Sequence, residues 1–362
     1  MIYIPMLKTR SEELRIAADV NECFSTKIIP LFEVISEKYR VRYKTNEKGE
    51  FIRERHKTRT MKVKCEPTEE DIITLSNINE IVNNNKVFVD YFRFSAKKYG
   101  KKVDARRAGL AYELSGDYFL YKKKLLAVTV YDNMIPVISI KEDYDIEHSE
   151  LRELIVKIQQ KTAHIALRIT DGLLDMHNDI IVNCLRKQDY LLYDLEENNP
   201  ELKYERIKQL KGDNLLCRII LLNSPRKSCI KNVEYPVNDV TDLINNCARN
   251  VAEECELDGY GDYCGLMDDM PIRGGANGTG AALVLFYNYE DNVFYSYCNH
   301  NSKLGKAGYK DIIPLIRKDE KLLDPLGECP GFRKMHEEPV KNWNTWNYVN
   351  AARYIYQIYK NL

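Results

Sequence analysis

Short apolar runs that end on a charged or polar residue recur along this chain, and their spacing constrains the fold more than any other feature. They include "KIIPLFEV", "KVFVDYF", "MIPVISIKE", "AHIALRI", "DYLLYDL", "LCRIILLNS" and "DYCGLMDD". Each is rich in β-branched or aromatic residues and has the length of a strand. With the opening "IYIPMLK" they predict strands near residues 2–7, 27–34, 86–92, 134–140, 163–169, 189–195, 215–222 and 262–268. Helical spacing fills the gaps: "SEELRIAADVNECF" after the first strand, "EHSELRELIVKIQQKT" before the fifth, then "LLDMHNDIIVNCLRKQ", "PELKYERIKQLKGD" and "VNDVTDLINNCARNVAEE". Strands that alternate with helices pair in parallel through right-handed crossovers, and continuous apolar character suits strands covered on both faces. The expected fold is therefore α/β, an eight-stranded parallel β/α (TIM-like) barrel. An open doubly wound sheet is the alternative, but no G-x-G-x-x-G turn follows the first strand.

Side chains alternate across a strand, so the period of two selects one face of each run. Glu33 shares a face with Leu31 and Ile29, Asp90 with Phe88, Arg168 with Ala166 and His164, and Asp194 with Leu192. Lys8 lies on the face of Ile4 and Met6. If these faces point inward, Lys8, Glu33, Asp90, Arg168 and Asp194 converge at the C-terminal mouth, where barrels of this kind build active sites. These five are the candidate catalytic residues. Glu33, Asp90 and Asp194 are also hard oxygen ligands suited to Mg²⁺ or Mn²⁺. The competing reading is a salt-bridge network that fixes the barrel top. Asp262 and Tyr263 would fall at the start of the eighth strand, far from the mouth, and Asp268 and Asp269 at its end. His164 reads as a core histidine. The sixth strand ends on Asp194 rather than on lysine, which disfavours Schiff-base chemistry there.

Two insertions interrupt the regular spacing. Residues 40–65 form a basic excursion, with a hairpin expected at "NEKGE"; residues 40–64 hold ten Lys/Arg against three Glu. Residues 93–107 hold seven Lys/Arg against one Asp. Tyr39, Tyr43, Phe51, Phe94 and Tyr99 are interleaved with these charges, as a surface that stacks single-stranded nucleic acid requires. Arg53 and Arg55 on the first insertion, and Ser224, Arg226 and Lys227 in the turn "NSPRKS", are candidate phosphate or anion ligands. A glycine-rich stretch, "RGGANGTG", leads into a tyrosine-rich hairpin over about 272–300, and a helical region covers about 309–362. No internal linker divides residues 1–362, so one domain is expected.

Composition limits the partners. Fifty-four Lys/Arg balance fifty-four Asp/Glu, which excludes a uniformly basic nucleic-acid binder but leaves room for a local basic patch. No apolar run approaches the ~18–20 residues that cross a bilayer, and the N-terminus lacks a signal-peptide layout, so a cytoplasmic protein is expected. None of the ten cysteines forms a C-x-x-C pair, which disfavours structural zinc.

In order, "MIYIPMLKTRSEEL", "KIIPLFEV", "VFVDYF", "IPVISI", "ALRI", "YLLYDL", "LLNSPRK" and "YGDYCG" resemble the Beta protein family. Its namesake is a satellite-bacteriophage protein that counteracts a phage-encoded killer protein. The resemblance covers roughly residues 1–270; the insertion at 40–65 and the hairpin at 281–298 depart from it. It implies a phage- or prophage-associated immunity or defence protein and carries no catalytic residues with it. The expected activity is binding of an anionic partner at the barrel mouth, whether nucleic acid, nucleotide or toxin surface. The alternative is a metal-dependent barrel hydrolase acting on a phosphorylated substrate.

Overall fold

The computed structural model describes residues 1–56, 58–100, 102–212, 215–273, 280–337 and 343–362. The first strand, β1 (Ile2–Lys8), leads into helix α1 (Ser11–Asp19), and β2 (Leu31–Val34) ends at the first insertion. There β3 (Arg53–His56) and β4 (Arg59–Lys62) pair antiparallel before α2 (Thr74–Ile81). Then follow β5 (Val87–Tyr91), α3 (Ala96–Tyr99), α4 (Gly109–Gly116), α5 (Tyr118–Val128), β6 (Met134–Ile140), α6 (His148–Gln159), β7 (Ala166–Thr170), α7 (Asn178–Cys184), β8 (Tyr190–Asp194), α8 (Tyr204–Gly212) and β9 (Arg218–Leu222). The chain continues through β10 (Asn238–Thr241), α9 (Ala248–Glu254), β11 (Gly259–Asp262), β12 (Ala282–Asn288), β13 (Val293–Asn299), α10 (Tyr309–Leu323), α11 (Pro330–Glu337) and α12 (Trp343–Asn361).

Eight of these strands close a parallel barrel in the order β1-β11-β9-β8-β7-β6-β5-β2, which is the expected architecture. The fully buried faces of strands such as Met134–Ile140 explain the continuous apolar runs: one face packs inside the barrel and the other against helices. Outside it, β10, β13 and β12 form a three-stranded antiparallel sheet that includes the expected hairpin. The added helix α12 packs beside α1 and β12.

The eighth barrel strand corrects the sequence reading. It is Gly259–Asp262 rather than 262–268. Glycine-rich "GYGD" has low strand propensity and reads as a turn, yet small residues are required there. A Cβ on Gly261 would lie 2.6 Å from the Ile4 carbonyl oxygen and 2.8 Å from Leu222 Cδ2. The segment "VNDVTDLINNCARNVAEE" is likewise helical only over Ala248–Glu254, because its first half supplies the edge strand β10. The "NEKG" turn is present, closed by the Asn46 N–H on the Glu50 carbonyl with Gly49 at φ +79°. Most of the glycine-rich stretch, residues 274–279, and part of the expected C-terminal helical region, residues 338–342, lie outside the described residues.

Register also decides where Asp262 points. It pairs with Pro5, one residue out of phase with Ile4 and Gly261, so it faces outward from the barrel. Tyr3 and Tyr354 of α12 donate to its carboxylate at 2.9 and 2.6 Å, and the Cys264 N–H donates at 2.7 Å. Burial pushes its carboxyl up to about 6 against the pull of these three donors. A carboxyl raised in the folded state stabilises fully below its ordinary value near 3.8 and loses that contribution as pH rises through about 6. Chemical denaturation of wild type and Asp262→Asn across pH 4–7, on the order of that window, is expected to show a decline in the wild type that the variant lacks; parallel curves would contradict the assignment.

Candidate functional site

Adjacent strands place Lys8, Glu33 and Asp90 in one row, since Lys8 pairs with Glu33 and Glu33 with Asp90. Arg168 on β7 pairs with Ser139, and Asp194 on β8 pairs with Thr170, one step higher as the strands tilt. All five predicted residues therefore meet inside the mouth, and none is more than 2% exposed. Arg168 is the centre. Its Nη1 donates to Glu33 at 2.7 Å and to Asp90 at 2.9 Å, while its Nε donates to Asp194 at 2.8 Å. Ser139 donates to Asp90 at 2.7 Å, and Tyr263 donates to Glu33 at 2.8 Å. Lys8 bridges Glu33 at 2.8 Å to Asp268 at 2.6 Å, with its ammonium 4.2 Å from the centroid of the Tyr263 ring.

Glu33, Asp268 and Arg168 hold fixed charges. Burial alone would raise Glu33, but Lys8 and Arg168 outweigh it and keep the carboxyl at about 2. Burial opposes the charge of Asp268 too, yet Lys8 and Lys98 hold that carboxyl well below its ordinary value. Arg168 is raised well above the ordinary guanidinium value because Asp194, Glu33 and Asp90 outweigh its desolvation. Groups locked this far from neutrality do not exchange protons near pH 7. The network is thus the floor of the mouth: it closes the barrel and fixes the geometry above it.

The metal set Glu33, Asp90 and Asp194 requires correction. The three carboxylates converge on a guanidinium rather than on a shared ion position. Among the described residues no group of three or more His, Cys, Asp or Glu side chains is arranged to hold a metal. In the "NSPRKS" turn Ser224, Arg226 and Lys227 do not converge on one point, while Ser228 at its end lines the cleft above the floor. Ser224 is buried, Arg226 is buried with its guanidinium on the Gly265 carbonyl and Asn232, and Lys227 is exposed. Arg53 and Arg55 stand exposed on β3 with no recorded contact to the network. Phe94 is buried and Tyr99 half-buried, packed together rather than offered for stacking. His164 lies before β7, partly exposed, bonded to the Gln188 carbonyl and Lys86.

Above the floor lies a cleft of about 460 Å³, lined by Phe92, Arg93, Ser95, Lys98, Lys141 and Ser228 among others. The second insertion supplies one wall. Lys98 reaches Asp268 and Glu196, each at 2.7 Å, and Tyr99 donates to Asp268 at 3.1 Å. Arg93 is buried and donates to the Ser139 and Tyr144 carbonyls at 2.6 and 2.7 Å. Lys141 directly follows β6, with its ammonium 4.2 Å from the centroid of the Phe92 ring. Among the described residues neither Arg93 nor Lys141 forms an ion pair. Burial, and then Arg168, lowers the Lys141 ammonium below its ordinary value; Glu33 and Asp90 only partly offset this. Four acids also line the cleft, with Glu142 and Asp143 exposed and Glu196 and Glu197 half-buried. Arg93 is buried, whereas Lys141 is half-buried like Glu196 and Glu197, so the cleft mixes both signs of charge rather than being uniformly basic.

Sequence reasoning missed Tyr263 and Lys141. The first follows a strand hidden by glycines. The second stands in the quoted run "MIPVISIKE", one residue past the strand end that holds mouth residues in this fold. Replacing Arg168 with Ala leaves three buried carboxylates without their shared cation and is expected to cost about 3–5 kcal/mol of stability in denaturant titrations. Adding Asp194→Asn to that variant should recover part of the loss, since one uncompensated charge is removed; a purely additive loss would remove the network from its central role.

No family model and no curated protein matches the chain. Among solved structures the chain is similar to dihydropteroate synthase from Anaplasma phagocytophilum with bound 6-hydroxymethylpterin-monophosphate, at 13% identity and a TM-score of 0.29. That match covers 73% of this chain and 93% of that one. No helix among the described residues is long and apolar enough to cross a membrane.

Proposed function

We propose that this barrel receives a phosphate-bearing anionic ligand in the mouth cleft and acts in phage or prophage immunity. The observation that carries the ligand half is a pair of cations, Arg93 and Lys141, lining the cleft with no ion-pair partner among the described residues. An ammonium or guanidinium held in a partly desolvated wall with no counter-ion is stabilised by any anion that enters. Ser228 adds a hydroxyl on the same lining, where Ser95 donates to Asp143 and Lys98 is paired with Asp268 and Glu196. The ordered resemblance to the Beta family supports the biological half. The metal-hydrolase alternative has no comparable support, because its three carboxylates are engaged by Arg168.

The first insertion favours an extended form of this reading, in which the ligand belongs to a nucleic-acid strand. Lys62 lies 3.7 Å from the Phe51 ring centroid and 5.3 Å from that of Tyr43, and both rings are more than a third exposed. With Arg53 and Arg55 on the neighbouring strand, this flap presents aromatic faces among cations, as sequence-independent strand binding requires.

Calorimetric titration with AMP and with a labelled oligonucleotide separates the two forms. Lys141→Met is expected to weaken AMP about tenfold, the effect of losing one charge-assisted contact. Deleting residues 46–62 should leave AMP binding intact and abolish the salt-dependent binding of the oligonucleotide. If neither probe binds at millimolar concentration, the anion reading is wrong.

A further inference from the structure

We propose that Lys141 is a nucleophilic amine, and that the cleft takes an anionic ligand carrying an aldehyde or ketone which it binds covalently as an imine. The inference rests on the anion-binding reading above and names the chemical class of that ligand. Three observations converge on this one side chain. Lys141 immediately follows a barrel strand at the mouth, and a backbone bridge to Tyr144 pins its main chain. Its ammonium sits against the Phe92 ring on the cleft lining, among the described residues without an ion-pair partner. The other cations here are engaged differently: Lys8 and Lys98 by carboxylates, and Arg93 by two carbonyls.

This contrast decides what each cation can do. An ordinary lysine near pKa 10.4 is a free amine in only about one molecule in a thousand at pH 7.4. An ion pair lowers that fraction further, which keeps Lys8 and Lys98 as fixed charges. Desolvation without a counter-ion works the other way, and each unit of depression raises the free-amine fraction about tenfold. The Lys141 ammonium is lowered by burial and by the positive charge of Arg168 beneath it. A lysine desolvated beside another cation is one of the general ways to activate an amine towards carbonyls. The floor network thus acts on this lysine through Arg168 without touching the ligand.

The step balances without an added redox partner. The Nζ lone pair attacks the carbonyl carbon, a C–N bond forms, and the C=O π pair moves to oxygen. Both Nζ protons leave with that oxygen as water, giving the neutral imine. Arg93 and the Ser228 hydroxyl remain on the lining to hold the ligand's anionic group, while Ser95 donates to Asp143 and Lys98 is held by Asp268 and Glu196.

The test uses pyridoxal 5′-phosphate as an anionic aldehyde, and pyridoxine 5′-phosphate, which has the same phosphate and no carbonyl. The intact chain is incubated with the aldehyde near neutral pH, reduced with borohydride and mapped by peptide mass spectrometry. The expected result is one dominant adduct at Lys141, formed at least about tenfold faster than at exposed lysines such as Lys227. Pyridoxine 5′-phosphate should block it, and Lys141→Arg should lose it. If pyridoxine 5′-phosphate binds but the adducts spread over surface lysines and spare Lys141, the imine proposal fails while the anion site stands. If neither compound binds the cleft, the anion-binding reading fails and this proposal fails with it.

Discussion

A single guanidinium organises the open end of this barrel. Arg168 stands among Glu33, Asp90 and Asp194, each within 2.9 Å and each excluded from water. Three anions so close together are tolerable in a low-dielectric interior only around a cation with several donors in fixed directions. Lysine, a single point charge, could not bond three carboxylates from three strands in this way. The Arg168 fork therefore sets the separation of β2, β5 and β8 at the mouth, and the cleft above inherits its shape from that separation.

Two kinds of charge coexist within this mouth. In the floor the cations and carboxylates are matched to one another, with Arg168 and Lys8 each joining acids from different parts of the chain. One layer up, Arg93 and Lys141 are not matched to acids among the described residues. A matched network stabilises a shape, whereas an unmatched charge beside a cleft leaves interaction energy for something that arrives from outside. The proposed function follows from that difference between layers, not from the total charge of the rim.

Much of this was legible in the sequence because barrel strands obey a strict period of two. Counting from Leu31 to Glu33, or from Leu192 to Asp194, sufficed to place carboxylates inside the mouth. The period fails where strands lack side chains to carry it. Gly259 and Gly261 erase the inward face of β11, so the periodicity points to a strand three residues too late and puts Tyr263 at the wrong end. It fails again one residue past a strand, where Lys141 in "KEDYD" resembles any solvated loop. The basic loop at 93–107 misled for a different reason. Local charge cannot reveal that Lys98 and Tyr99 turn inward to Asp268, which lies 169 residues beyond Tyr99.

The outward-facing Asp262 joins the first strand of the chain to its last helix, since Tyr3 and Tyr354 both donate to it. The β1–β11 seam pairs Ile2 with Gly259, so it must bridge more than two hundred residues before it can zip shut. Closing so long a loop costs entropy that no local contact repays early, which marks this seam as a late event in folding. Until that seam closes, β1 and β11 are two unprotected sheet edges, each able to recruit a strand from another chain. The small cluster of tyrosine hydroxyls around one carboxyl thus fastens the closed seam to the helix that lies outside it.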